Sequence, residues 1–503
     1  MAIQRKQTLG LITGLCLFIL TLIAPDTEAL PTPARHVLAV ALLMASWWIS
    51  EAIPIAATAL MPIFLFPLLG VMPGSEVTKS YAHHLIYLFL GGFLIAVTIE
   101  KWNLHKRIAL HTIKLVGIEP DRIILGFMIA TAGLSMWISN TAATMMMITI
   151  GMAVLKQVSN EIEDNPELNI DTRPQHFQFG IALMLSIAYA ASIGGIATLI
   201  GTPPNAIMAG IIEEQFSTSI SFGKWMLFAL PLSVTLLLAC WLYLTRFAFR
   251  SEIKTLPGGK QAILDELQQL GAMSRQELSV LLVFISVALL WIGRGIFELE
   301  AFAYITDSTI AMAGALLLFI IPAGKGEFLL DWNTASKIPW DILILFGGGF
   351  ALASGFIDSG LTGTIALQLQ GLQEFNVIWL LLATIAVVII LTEITSNTAT
   401  ASMFLPVVVA LALAVSIHPY CLMAAVALAA SCAFMLPVAT PPNAIAYSSR
   451  YFTIMQMTRT GIWMNVIGLI LITLFIVIYM PVAWDISLDT IPADLSKVMQ
   501  NNP

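Results

Sequence analysis

No charged side chain interrupts residues 123 to 155, and only Glu393 interrupts residues 377 to 417. About 20 helical residues cross a hydrocarbon core about 30 Å thick, so each stretch is too long for one span and too apolar for a surface in water. In lipid the backbone must satisfy its own hydrogen bonds, which leaves helices or a closed barrel. Further apolar runs lie near 8 to 24, 35 to 53, 54 to 70, 81 to 100, 177 to 211, 222 to 245, 276 to 293, 308 to 322, 338 to 357, 420 to 446 and 461 to 481. Charged residues make up 11% of the chain and hydrophobic residues 58%, against about 25% charged in soluble domains. The expected class is an all-α polytopic protein integral to a lipid bilayer.

The positions of the charges set the expected topology. Lys and Arg gather at Lys101, Lys106, Arg107, Lys114 and Arg122, again from Arg246 to Arg275, and at Lys325, Lys337, Arg450 and Arg459; the segments around Glu298, Glu300 and Asp307 and after Trp484 are acidic. The positive-inside rule makes the basic set cytoplasmic. That holds only if 123 to 155 and 377 to 417 enter the membrane, turn and leave on the side they entered; a single span through the first would put Lys156 and Arg173 outside. The expectation is about eleven spans plus two re-entrant hairpins, the first entering from inside and the second from outside. The N-terminus is then cytoplasmic and the C-terminus external, in a plasma membrane of the bacterial inner type. The first run reads as a retained span, because no small-residue cleavage site with a soluble domain follows it. Cys16, Cys240, Cys421 and Cys432 have no metal-ligand spacing and read as packing residues.

Each long run carries a polar triplet: Ser139, Asn140 and Thr141 in WISNTAAT, and Ser396, Asn397 and Thr398 in ITSNTATA. The triplets lie 257 positions apart, and Gly91, Gly92 and Phe93 match Gly348, Gly349 and Phe350 in the same register. GTPPNAI at 201 to 207 and ATPPNAI at 439 to 445 repeat at an offset of 238, the difference being taken up by the polar stretch from Lys156 to His176. With the halves in opposite orientation, this is an inverted-topology repeat, in which broken helices meet near the midplane. The expected division is N-terminal scaffold spans in 1 to 80, a first repeat in 81 to 249, a cytoplasmic linker in 250 to 275, scaffold spans in 276 to 337, a second repeat in 338 to 460, and a last span with its tail in 461 to 503.

Two prolines in each TPPN remove backbone donors and push Thr202 and Thr440 out of the helical region, so carbonyls around Gly201 and Ala439 lose intrahelical partners. Freed carbonyls suit a cation. At each hairpin tip the first half-helix ends in a partial negative charge and the second begins with a partial positive one. Asn140 and Asn397 bridge the two, since an amide both accepts and donates. The site carries no Lys or Arg. A buried multivalent anion there needs compensation from helix ends and co-bound cations. Neutral oxygen ligands favour a hard monovalent cation such as sodium over a transition metal. The residues therefore read as a cation-coupled anion carrier.

The paired triplets, WWISEAIPIAATAL at 47 to 60 and SCAFMLPVATPPNAI at 431 to 445 resemble the divalent anion/sodium symporter family, carriers of C4-dicarboxylates, citrate or sulfate. The resemblance covers nearly the whole chain; Ala446 stands where the family signature usually has Val. It implies one sodium site from Ser135, Ser139, Asn140 and Gly201, and a second from Thr392, Thr395, Asn397 and Ala439, with Thr395 and Ala439 acting through carbonyls. It implies an anion held by both triplets and lined by Thr202, Thr440 and Pro441. A homodimer is implied too, with a fixed scaffold and a transport part that carries both hairpins across the membrane in an elevator motion. Members of this family work by sodium symport or by dicarboxylate exchange. The complete set of sodium-type ligands favours symport; Thr at the third triplet position in both halves and the lack of a long soluble insertion favour C4-dicarboxylates over sulfate. No organic cofactor and no nucleic-acid partner are expected.

Other residues read more plainly. Glu393 is a buried hydrogen-bond anchor or a carrier of a coupling proton. Glu51 caps or braces a helix break, and His83 and His84, at a span start, are not read as a metal pair. Lys101 to Gly117 is an amphipathic basic segment at the interface, and 259 to 277 a linker helix. A membrane-embedded hydrolase would need a nucleophile with a base, or His and acid clusters, at matching depth; the seven histidines are scattered and none lies in a hairpin. A channel would need a continuous pore, which two hairpins in pseudo-symmetric repeats do not suggest.

Overall fold

A helix apolar on every side is stable only when surrounded, and Gln178–Ile196 is such a helix, with each residue from Phe179 to Ile196 buried. Its counterpart in the second half, Pro419–Ala429, is buried at all of its positions. Gln178–Ile196 packs against Pro120–Ser135, Asn140–Glu163, Phe222–Leu242 and Pro441–Ser448, and Pro419–Ala429 against Pro203–Phe216, Val377–Thr392, Asn397–Ala414 and Ile454–Leu474. The computed structural model describes residues 5–27, 30–117, 119–165, 170–251, 259–296, 304–324, 326–489 and 491. Within them the only strands form a short antiparallel pair, Pro322–Gly324 with Glu327–Phe328.

Among the described residues, nine helices are long and apolar enough to cross a membrane, and Ile55–Leu68, Asp307–Ile320 and Pro419–Ala429 are shorter apolar helices. With broken helices taken as single passages, the helices at the expected span positions are Arg5–Ile23, Thr32–Ser50, Ile55–Leu68, Gly74–Lys101, Gln178–Ile196 continued by Pro203–Phe216, and Phe222–Ala248 in the first half. In the second half they are Arg275–Ile296, Asp307–Ile320, Trp340–Asp358, Pro419–Ala429 continued by Pro441–Ser448, and Ile454–Trp484. The hairpins stand apart from these. The first has arms Pro120–Ser135 and Asn140–Glu163, the second Val377–Thr392 and Asn397–Ala414. Helix Gly259–Leu270 touches both Leu104–Val116, which leads into the first arm, and Asn140–Glu163, so the two ends of that hairpin lie on one side. Lys106 and Glu266 close this contact at 2.7 Å. In the second half the chain turns through 119° between Leu361–Leu372 and Val377–Thr392, and Leu361–Leu369 packs on Asn397–Ala414.

The repeat is visible in the helix boundaries. Lead-in helices begin at Leu104 and Leu361, first arms end at Ser135 and Thr392, and second arms begin at Asn140 and Asn397, every pair differing by 257 positions. Equivalent glycines perform equivalent packing. A Cβ on Gly91 would stand 2.6 Å from the Ala311 carbonyl carbon, and one on Gly348 would stand 2.4 Å from the Ala59 oxygen. Each lets its helix lie directly against the backbone of a helix from elsewhere in the chain.

Several local features differ from the sequence reading. The run at 54 to 70 is two short helices, Ile55–Ala59 and Met61–Leu68, with Pro62 at the second start. The linker helix stops at Leu270, where Gly271 takes φ +65°, and a new helix starts at Arg275. Glu51 ends its helix through its own left-handed backbone, φ 50°, and its side chain is exposed. The amphipathic segment is helical over Leu104–Val116, with Leu104, Ala109, Leu110 and Ile113 buried. Just outside the spans, the Lys101 ammonium at 2.6 Å and the Thr334 N–H hold the Asp331 carboxyl well below the usual carboxylate range. Residues 252 to 258 of the expected linker, Glu298, Glu300 and the tail from 492 lie outside the described residues.

Candidate substrate and cation site

At the first tip the turn Met136 to Ser139 is closed from two directions. Ser139 is extended at φ −61°, ψ 140°, and its side chain accepts the Ala142 N–H at 3.2 Å, capping the second arm. Thr198 Oγ1 donates to the Met136 carbonyl at 2.6 Å and accepts the Gly201 N–H at 3.0 Å, so one hydroxyl joins the hairpin tip to the helix break. In both TPPN breaks the threonine is extended, Thr202 at φ −148° and Thr440 at φ −143°, as a following proline requires. Asn205 Nδ2 then donates to the Ile196 and Thr198 carbonyls at 3.1 and 2.7 Å, and Asn443 Nδ2 to those of Ala433 and Leu436 at 2.9 and 3.0 Å. These two asparagines secure the breaks. Sequence reasoning passed over them, although the repeated TPPN contained the signal.

The hydroxyl that ends each first arm has two oxygen neighbours. Ser135 Oγ lies in hydrogen-bond contact with Asn140 Oδ1 and 2.7 Å from the Ala191 carbonyl; Thr392 Oγ1 lies 2.7 Å from Asn397 Oδ1 and 2.8 Å from the Ala430 carbonyl. Each repeat thus brings a hydroxyl, a side-chain amide and a backbone carbonyl together, neutral groups whose oxygens a hard cation can bind. In the first repeat the space is defined further. A Cβ placed on Gly195 would stand 2.9 Å from Asn140 Oδ1 and 3.0 Å from the Gly201 carbonyl oxygen, so both oxygens face one small cradle that glycine keeps open. Neutral oxygens from a hydroxyl, an amide and a carbonyl form a donor set fit for a hard monovalent ion.

The two repeats meet at this point. Thr202 follows Gly201 and its Oγ1 lies 3.4 Å from Ser431 Oγ; Ser431 follows Ala430, whose carbonyl belongs to the Thr392 and Asn397 cluster. Helix Pro441–Ser448 packs on the first hairpin's Asn140–Glu163, and Pro203–Phe216 packs on the second hairpin's Asn397–Ala414. Helix starts at Asn140, Pro203, Asn397 and Pro441 thus gather in one region. Ser135, Thr392, Thr202, Thr398, Thr440 and Ala439 are buried, while Ser139, Asn140, Thr141, Ser396 and Asn397 are half-buried. Pro441 is exposed. The Thr395 side chain, in the turn between the arms, bridges them, donating to Leu391 O at 2.8 Å and touching Thr400 Oγ1 at 2.5 Å.

Glu393 makes its hydrogen bonds to groups outside the two oxygen clusters. Its carboxylate accepts the N–H groups of Phe434, Met435 and Leu436 at 2.8, 2.9 and 3.1 Å and Asn465 Nδ2 at 2.8 Å. Tyr189 Oη donates to the Phe434 carbonyl at 2.9 Å. Of the two sequence readings of Glu393, this geometry is that of the anchor: it holds the non-helical backbone before the second TPPN.

Residues 5–485 match the family described as the sodium:sulfate symporter transmembrane region. The chain belongs to the sodium:sulfate symporter family. It is 45% identical over 482 residues to the sodium-dependent dicarboxylate transporter SdcS of Staphylococcus saprophyticus, covering 94% of this chain and 92% of that protein. To SdcS of Staphylococcus aureus strain USA300 it is 45% identical over 488 residues, covering 96% and 93%. Among solved structures, MtrF of Neisseria gonorrhoeae has a TM-score of 0.57 at 11% identity, covering 95% of each chain. YdaH of Alcanivorax borkumensis has a TM-score of 0.56 at 12% identity, covering 90% of this chain and 99% of that one. Those two likenesses concern the fold alone. As a member of this family the chain is an integral membrane transporter.

Proposed function

We propose that this chain is a sodium-coupled symporter of small dicarboxylates, C4 acids such as succinate, malate and fumarate, working by elevator-type alternating access. The observation that carries this reading is the duplicated cluster in which Ser135 with Asn140 and the Ala191 carbonyl, and Thr392 with Asn397 and the Ala430 carbonyl, bring neutral oxygen donors together. The name of the SdcS relatives supports both the ion and the substrate class. Sodium would be held by Ser135, Ser139, Asn140 and Gly201 in the first site. In the second it would be held by Thr392 and Asn397 side chains with the Thr395 and Ala439 carbonyls.

Coupling follows from charge. None of the stretches 123 to 155, 177 to 211, 377 to 417 and 420 to 446 contains Lys or Arg. A dianion between the triplets therefore relies on helix N-termini, worth about half an elementary charge each, and on the two cations. A unit charge pair about 5 Å apart at an effective dielectric near 20 contributes about 3 kcal/mol. Without sodium the anion loses several such terms and does not bind; without the anion the two cations repel across the same space. Ser139, Asn140, Thr141, Ser396, Asn397 and Thr398 would donate to the carboxylates, with Thr202, Thr440 and Pro441 at the margin. The moving body comprises both hairpins and both broken helices. The fixed one comprises the helices around Thr32–Ser50, Ile55–Leu68, His84–Lys101, Arg275–Ile296, Asp307–Ile320 and Trp340–Asp358. We further propose a homodimer through that scaffold, with a cytoplasmic N-terminus and an external C-terminus.

Succinate uptake into proteoliposomes tests the reading. An inward sodium gradient should drive accumulation into empty vesicles, with citrate and sulfate competing poorly. Uptake that ignores sodium but requires dicarboxylate trapped inside would replace symport by exchange and leave Ser135 and Thr392 as structural residues.

A further inference from the structure

At the opposite end of helix Pro203–Phe216 from the break, Glu213 meets two histidines that the transport reading does not use. His84 Nε2 lies 2.7 Å from both Glu213 carboxylate oxygens. His84 Nδ1 lies 3.2 Å from Ser308 Oγ, whose own proton is committed to the His84 carbonyl at 2.7 Å. With that proton committed, Ser308 offers the ring only lone pairs, and the carboxylate at Nε2 calls for a positive centre there, a proton or a metal ion.

A proton would meet that need for His84 and Glu213 alone. It gives no role to His83, whose ring lies 4.7 Å from that of His84, centroid to centroid. The ligand atoms of His83, His84 and Glu213 all lie within 4.8 Å of one another. The neighbouring charges are engaged elsewhere: Glu214 accepts from Ser354 Oγ at 2.7 Å, and Asp307 is paired with Arg294 at 2.9 Å. Among the described residues no Lys or Arg forms an ion pair with Glu213, whose one such partner is His84.

We propose that His83, His84 and Glu213 form a binding site for a zinc-class divalent metal ion. Two imidazoles and one carboxylate with a fourth position open to water are a donor set that tetrahedral zinc uses, and imidazole selects this class over sodium, calcium or magnesium. Zinc to nitrogen distances of about 2.0–2.1 Å require the three side chains to draw in. All three are only partly buried, which leaves them room to do so. His83 would give up a long 3.3 Å contact in which its Nδ1 accepts the Leu85 N–H.

The site joins two bodies. His83 and His84 stand at the start of the helix that packs through Gly91 on Asp307–Ile320, whereas Glu213 rides on a helix that begins at the first TPPN. If the elevator reading holds, on which this consequence rests, a bound metal pins the moving body to the scaffold and slows transport.

The test is zinc chloride titrated calorimetrically into the purified, metal-stripped full chain in nanodiscs, with cobalt absorption reporting coordination geometry. One ion per chain is expected, weakened at least about tenfold in His83→Ala and in Glu213→Gln, with a tetrahedral cobalt spectrum in the wild type. No saturable binding, or binding unchanged in both variants, would overturn the site. Zinc added to proteoliposomes should inhibit sodium-driven succinate uptake in the wild type and not in Glu213→Gln. Zinc binding without inhibition would overturn the clamp and leave the site standing. If the vesicles take up no succinate at all, the transport reading fails while the calorimetry still decides the metal site.

Discussion

Gly195→Ala is the sharpest single perturbation of the first cation cradle. The added methyl would stand 2.9 Å from Asn140 Oδ1, 3.0 Å from Gly201 O and 3.1 Å from Asn140 Nδ2, where ordinary contact begins near 3.4 Å. The two oxygens must retreat by about 0.4 Å, or the methyl must take the ion's place; overpacking of this kind costs about 1–3 kcal/mol. At about 1.4 kcal/mol per decade that is a loss of about 5- to 150-fold in sodium affinity. The assay is succinate uptake into proteoliposomes against external sodium, with monodispersity and thermal unfolding as checks on folding. Two glycines calibrate the result. Gly133→Ala, in the arm that carries Ser135, meets nothing within 4 Å and should leave sodium dependence unchanged; Gly194→Ala would put its methyl 2.3 Å from the Ala132 carbonyl oxygen and should impair folding itself. A folded Gly195→Ala protein with wild-type sodium dependence would refute the convergence of Asn140 and Gly201 on an ion.

Other residues give further expectations. Ser135→Ala and Thr392→Ala should each raise the sodium concentration for half-maximal uptake, whereas Thr392→Ser, which keeps the hydroxyl between Asn397 and the Ala430 carbonyl, should stay within a few-fold of wild type. Glu393→Ala leaves three backbone N–H groups without their acceptor, at about 1–3 kcal/mol each; thermal unfolding in detergent should show a drop of several degrees with or without sodium, and an unchanged midpoint would remove the anchor role. Arg107→Ala breaks a largely buried pair with Glu277 at 2.7 Å and contacts to the Leu270, Gly271 and Ala272 carbonyls. Removal of one partner from such a pair costs about 3–5 kcal/mol, to be read as a lower unfolding midpoint that Arg107→Lys only partly restores.

Much of this architecture was legible because the chain states it twice. A lone Ser-Asn-Thr in a membrane helix is consistent with ordinary packing between helices, but two triplets in one register fix where each hairpin turns, and helix boundaries at Ser135 and Thr392 fall where that register puts them. The breaks were legible for a local reason, since two prolines cannot continue a helix. Features made by residues far apart in the sequence were not. Nothing near Glu393 says that its partners are the N–H groups of 434 to 436 and Asn465, and nothing near His83 and His84 announces Glu213, 129 positions on from His84. The cradle at Gly195 was hidden for another reason. It depends on the absence of a side chain, and a glycine in an apolar helix gives no sign of which oxygens it admits.

The most direct test of the central claim is succinate binding to the purified protein in nanodiscs, measured by calorimetry in sodium and in potassium at equal ionic strength. The account predicts saturable binding in sodium, no detectable binding in potassium, and loss of the sodium-dependent signal in folded Asn140→Ala and Asn397→Ala proteins. Succinate binding of equal affinity in both salts, or binding retained in both variants, would contradict it.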